Sequence, residues 1–303
     1  MAISKTPKFW SASAAALLAG SLAACGEGGE AGEAGEAGDA GATADAGYAP
    51  GPAGEGGEGG EAGEAGEAGG EFGIDPALAE TDPVLYRSAI EVMRAHYIAG
   101  LAALDNGDRA IASEMFSHPI SEIYVDLEPV IESLGGQAMM DEMNRAAVLH
   151  FQDASGDEIR AAVDEVVRLL DVNQDVAPEA DPAAAPAVHA AVLASLIERA
   201  ALQYEFAAQQ EDASGAWLDG YGLERAAARY AETTLDDVRA ADADGASAIA
   251  DALDLLATAY PGAQPPETYD PEPAVVLEAA NAAADAAGAM DAAPASDGAA
   301  GGG

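Results

Sequence analysis

The residues whose types and spacing could do chemistry lie mostly in one run, His118-Pro119-Ile120-Ser121-Glu122, closed by Asp126-Leu127-Glu128-Pro129. An imidazole and a carboxylate four positions apart share one face of an unbroken helix. Such a pair co-ligates iron, zinc or copper. Glu128 lies nearer the apolar boundary of the same stretch, where a carboxylate is costly to bury without a partner. His118, Glu122 and Glu128 are therefore the first set of expected metal ligands. His96 and His150 form an alternative with Met143, because both histidines fall on or beside inward helix faces rich in methionine (Met93, Met139, Met140 and Met143). Histidines and methionines projecting inward from facing helices hold metal or haem in bundles. The same residues also read as core filling, with each histidine satisfied by a carbonyl or a tyrosine.

Other chemistries find no support. The chain has no Gly-x-Ser-x-Gly, no His-Glu-x-x-His, no glycine-rich phosphate loop and no Cys-x-x-Cys-His. Acidic pairs are too abundant to single out a general acid and base, so the expectation is a protein that is not an enzyme. With a formal net charge of −42, the chain repels nucleic acid and anionic headgroups and attracts cations or basic partners.

The elements that must position these residues are helices, since no strand-like alternation occurs anywhere. After Pro119 the apolar residues fall at Ile120, Ile123, Leu127, Val130, Ile131 and Leu134, a one-sided stripe at helical period. Pro119 lacks an N–H and disfavours helical geometry at His118, so the helix restarts or kinks there. Continuing the helical phase places His118 and Glu122 nearly opposite the stripe. They face water unless the kink or a second packing surface covers that side. Upstream, a helix over 82–104 presents Tyr86, Ala89, Met93, Tyr97, Gly100 and Leu104, with His96 at the edge of that arc. Asn106-Gly107-Asp108 stops it and caps the next helix. Further helices are expected over 137–151, 157–171, 189–209, 222–240, 247–260 and 273–287, with a turn around Trp217–Tyr221. The segment 163–178 resembles 249–265, which suggests a weak internal duplication.

These elements give an all-α fold: tandem up-and-down helical bundles after a disordered acidic linker. The expected boundaries are a signal peptide over 1–24, a lipidated cysteine and Gly/Glu/Ala-rich tether over 25–71, and a first bundle over 72–172. A linker over 173–185, a second bundle over 186–288 and a disordered tail over 289–303 complete the chain. The tether repeats glycine every third residue but has almost no proline (Pro50 and Pro52 only) and repels itself, so it reads as a flexible spacer rather than a triple helix. Lys5 and Lys8 are the only lysines and precede a short apolar run. That run ends in Leu22-Ala23-Ala24-Cys25-Gly26.

The sequence around Cys25 resembles the lipobox of bacterial lipoproteins. That resemblance implies an acylated Cys25 inserted in a bilayer and a domain facing the periplasm, with Gly26 favouring the outer over the inner membrane. Tyr97-x-x-Gly100-x-x-Ala103-x-x-x-Gly107-Asp108, followed by Glu122-x-Tyr124-x-x-Leu127-Glu128-Pro129, resembles the helical extracytoplasmic domain that accompanies high-affinity iron permeases. A lipobox ahead of tandem four-helix bundles is similar to imelysin-like lipoproteins. The resemblance covers about 82–265 and implies iron-regulated metal binding in the envelope. The imelysin signature is His-x-x-Glu, whereas this chain has one residue more between His118 and Glu122. The leading expectation is an envelope lipoprotein that binds iron as an accessory to uptake. The alternatives are a metal-free helical adaptor docking an envelope protein, and a His/Met haem or copper site.

Overall fold

A computed structural model describes residues 75–210 and 213–291. The expected signal peptide, Cys25 and the whole of the tether lie outside these residues. Among the described residues there is no strand, and the fold is an all-α bundle. After a single turn, α1 (Pro76–Ala79), the long helix α2 runs Pro83–Asp105. Asp82 caps it by accepting from the N–H groups of Val84 (2.8 Å) and Leu85 (3.1 Å), with Pro83 at the first helical position. Gly107 then takes φ +85°, and Asp108 caps α3 (Arg109–Pro119) by accepting from the Ile111 N–H. The result is a tight antiparallel hairpin.

Pro119 has the expected effect in a particular form. The helix does not restart. It widens into one π turn over Ile120–Tyr124 and continues as α4 (Val125–Ser133), with the Val125 N–H donating to the Ile120 carbonyl. Next come α5 (Met140–Val148), a 3₁₀ turn (Leu149–Gln152) and α6 (Gly156–Gln174). The third helix was expected to begin at 137, but it begins at Met140 and Gln137 lies before it. Asn173 holds Gln137 at both ends, accepting from its N–H (2.7 Å) and donating to its carbonyl (2.9 Å). A Ser155–Glu158 capping box starts α6.

The remaining helices are α7 (Ala185–Gln209), α8 (Ser214–Ala241), α9 (Ala243–Ala259) and α10 (Pro273–Asp291). Two expectations are corrected here. The stretch Trp217–Tyr221 is not a turn: it lies inside α8, with Trp217 fully buried and its indole N–H donating to the Gly262 carbonyl at 2.9 Å. Gly215, Gly220 and Gly222 weaken the helical signal of this stretch, yet two of them mark close approach rather than a bend. A Cβ on Gly220 would lie 1.8 Å from the Tyr260 hydroxyl, and one on Gly222 would lie 2.3 Å from the Ala95 carbonyl oxygen. The last helix also extends past 287 to Asp291, so the first residues of the expected tail are helical. It packs on α7 and α9 through Val276, Ala280, Ala283 and Ala287. The second group therefore has a further packed helix after 249–265, the segment that resembled 163–178.

The described residues fall in one compact unit, and α2 is its shared spine. It packs on α3 and α6 of the preceding group of helices and on α7 and α8 of the following one. Of the segment expected as a linker, 173–185, only residues 175–184 lie between α6 and α7; Asn173 and Gln174 end α6 and Ala185 begins α7. α7 is long and apolar enough to cross a bilayer by length and composition. Here Val192, Leu193, Leu196, Ile197 and Ala200 are all buried among its neighbours.

A charge network also crosses the spine. Arg94 on α2 is 1% exposed, and its Nε donates to Glu91, also 1% exposed, at 3.0 Å. Its Nη2 lies 2.9 Å from Asp171 of α6, and Arg229 of α8 reaches the same Asp171 oxygen at 2.8 Å. Burial pushes the Glu91 carboxyl up, and Arg94 opposes that shift. Removing one partner of a buried pair strands the other charge, whereas removing both does not. We expect Arg94→Met to lower stability in urea denaturation by about 3 kcal/mol or more, and the double variant Glu91→Leu/Arg94→Met to recover most of that loss.

Candidate metal centre

Two of the three residues of the first expected set meet, and a residue of the alternative set joins them. His96 of α2, His118 of α3 and Glu122 of the π turn place one ligand atom each within 4.8 Å of one another. The two imidazoles meet edge to face, with ring centroids 5.9 Å apart and planes at 74°. His96 is buried at 4% exposure, and His118 and Glu122 are half-buried. The second packing surface that would shield His118 and Glu122 from water is thus α2 itself.

Three local features build this arrangement. The first is the hairpin. Gly107 is its pivot, and His96 and His118 lie equally far from it in sequence, so an antiparallel pair of helices brings them to the same height. The second is the close fit of the two helices. A Cβ on Gly100 would lie 2.2 Å from the Phe116 ring, which also stacks on Tyr97 with centroids 5.7 Å apart. The bare glycine backbone lets Phe116 sink against α2, and His118 follows two residues later. The third is the π turn. In a plain α-helix, residue i+4 lies about 40° past residue i, and the wider turn removes part of that excess. Glu122 is thereby drawn under His118.

The orientation of His96 is also determined. Its Nδ1 lies 3.0 Å from the Val92 carbonyl oxygen. A carbonyl only accepts, so Nδ1 carries a proton, and in the neutral ring the lone pair is on Nε2, the atom turned toward α8. That atom lies 3.9 Å from Oδ1 of Asp219. On the outer side, His118 Nε2 is 3.7 Å from Glu114, which is half exposed. The carbonyl of His118 accepts from the Ser121 hydroxyl at 3.3 Å. Two imidazoles and a carboxylate, one imidazole with its tautomer set by a backbone carbonyl, make a donor set suited to a borderline first-row ion.

The other expected residues are placed elsewhere. Glu128 is not in the group: it accepts from the Tyr124 hydroxyl at 2.9 Å, and that same hydroxyl accepts from the Met139 N–H at 2.6 Å. Glu128 thus serves a polar clasp between α4 and the start of α5. His150 lies in the 3₁₀ turn beside Phe151, with ring centroids 4.9 Å apart, and is not part of the group. Met143 is fully buried on the core face of α5. Cys25 lies outside the described residues. The residue that sequence reasoning missed is Asp219. It sits in the glycine-flanked stretch read as a turn, and no local signal ties it to a helix more than a hundred residues upstream. The pairing of His96 with His118 did have a signal, their equal distance from the Gly107 turn.

With the geometry established, comparisons with protein-family models, curated proteins and solved structures returned no match to this chain.

The α2–α8 contact at Gly222 can be tested directly. An added methyl there meets backbone, which cannot rotate away, so the helices must part. We expect Gly222→Ala to cost about 1–3 kcal/mol in thermal or urea unfolding. Gly215→Ala, which meets nothing within 4 Å, should be neutral or stabilising.

Proposed function

We propose that His96, His118 and Glu122 bind a transition-metal ion, iron foremost, and that the protein is a non-enzymatic cell-envelope lipoprotein serving metal uptake. The observation that carries the metal reading is the convergence of two imidazoles and a carboxylate from three segments within 4.8 Å. The ligand set of the proposal is thus His96, His118 and Glu122, with Glu128 left out. The envelope placement draws on the sequence alone: the lipobox-like run ending at Cys25, the acidic spacer after it and the likeness to imelysin-like lipoproteins. A surface of this charge would concentrate cations near the site over a Debye length of about 8–10 Å.

A second reading, a metal-free adaptor, draws on a different face. Phe151 is 77% exposed beside an open cleft of ≈ 520 Å³ lined by Ser113, Ser117, Ile120, Val148 and His150. The two readings part on metal content. The full chain, purified with excess magnesium to occupy the acidic tether, should carry about one tightly held iron, zinc or copper per chain by elemental analysis. His118→Ala and Glu122→Ala should each lose it while shifting the metal-free unfolding free energy by no more than about 1 kcal/mol. Glu128→Ala should keep the metal. A loss of stability in the His118 and Glu122 variants, with no metal bound by any form, would make the group a packing feature and leave the adaptor reading.

A further inference from the structure

His96 Nε2 and Asp219 Oδ1 are two acceptors 3.9 Å apart when the imidazole is neutral, because Nδ1 holds the ring proton against the Val92 carbonyl. A cation or a second proton between two such acceptors would draw them together. Asp219 lies outside the 4.8 Å group of His96, His118 and Glu122, but it reaches the His96 member of that group from α8, a helix that contributes none of the three. Its position is not casual. Gly222, one turn along α8 and on the same face, touches the Ala95 backbone, so α8 is held against α2 at the residue next to His96. The Asp219 side chain is 19% exposed, a largely withdrawn carboxylate on the wall of a site that already offers two imidazoles.

From this geometry, and resting on the metal-binding reading above, we propose that Asp219 is the fourth ligand and that the completed site takes a divalent ion. Four donors around a tetrahedral ion with bonds of about 2.0–2.1 Å lie about 3.3 Å apart, so His96 and Asp219 need close by well under 1 Å. Two neutral imidazoles and two carboxylates carry a charge of −2, which a divalent ion cancels. A trivalent ion would leave a net positive charge beside the buried His96, where charge is costly. The ligands then come from α2, α3, the π turn and α8, so a bound ion ties the N-terminal group of helices to the C-terminal one.

Cobalt(II) is the probe, because its visible d–d bands report ligand number and type. The full chain, in excess magnesium, is titrated with Co²⁺ alongside Asp219→Asn, Asp219→Ala, His118→Ala and the double variant His96→Ala/His118→Ala as background. We expect one Co²⁺ per wild-type chain. Asp219→Asn and Asp219→Ala should each weaken it at least tenfold and change the d–d spectrum, and His118→Ala should reduce binding to background. Gallium(III) in excess should not displace the Co²⁺. Asp219 variants that match the wild type in affinity and spectrum, while His118→Ala loses binding, would overturn Asp219 as a ligand and leave the three-residue site standing. Displacement by Ga³⁺ would overturn the divalent assignment. Wild-type binding no greater than that of the double-histidine background would overturn both this inference and the reading it rests on. Asn is isosteric with Asp, and the circular dichroism of each variant is compared with the wild type, so lost binding with unchanged helicity is read as a lost ligand.

Discussion

The structure depends on how closely α2 is approached by its neighbours. Helices with large side chains at the contact pack with axes about 8–10 Å apart, and small residues bring backbones to the near end of that range. On α2, Gly100 accepts the Phe116 ring, and Ala95 and Ala99 accept Gly222 of α8. Each contact exists because a Cβ is missing. The first brings α3 in and carries His118 to His96, and the second brings α8 in and carries Asp219 to 3.9 Å from His96 Nε2. Ordinary side chains at these positions would push the helices apart, and the polar groups would become separate, solvated side chains.

Close approach of apolar helices does not set their register, and here buried polar groups complement the fit. Asn173 grips Gln137 at both ends, while the Tyr86 hydroxyl donates to the Asn173 carbonyl at 2.9 Å. Arg94 joins Glu91 to Asp171, and Tyr260 donates to the Ala200 carbonyl at 2.8 Å. Such groups contribute little net stability when satisfied but are expensive to leave unpaired, so alternative packings that break them are disfavoured. The interior is held in place by a few arginines, tyrosines and amides, and among the described carboxylates only Glu91 and Glu224 are fully buried.

Much of the fold was legible in the sequence because its signals are local. The apolar stripe after Pro119, the Asp82-Pro83 start of α2 and the Asn106-Gly107-Asp108 turn all act within a few residues, and each element appears where they place it, to within a few positions. The failures share a cause. Glycines in α8 read as a turn because a glycine has the same letter whether it bends the chain or lets another backbone approach, and only the partner tells the two apart. Glu128 was grouped with the ligands for lying near the apolar boundary without an obvious partner, but Tyr124, one turn earlier, donates to it. His96 was assigned to a different set from His118 because helical phase was judged one helix at a time. The symmetry of the two histidines about Gly107 becomes visible only when both arms of the hairpin are considered together.

The π turn bears on how this chain relates to shorter motifs. A helix that gains one residue must rotate everything downstream by about 100° or absorb the extra residue in a single widened turn. The turn at Ile120–Tyr124 absorbs it, so Ile123, Leu127 and Ile131 still reach the core. A histidine and glutamate spaced as His-x-x-Glu on a plain α-helix lie short of a full turn, and the pair here, one residue longer on a wider turn, is brought back toward the same alignment. The widening is confined to one turn of backbone beside Pro119. The number of residues between a histidine and a glutamate therefore does not by itself place them in space, because the kind of turn between them sets how far round the helix they lie.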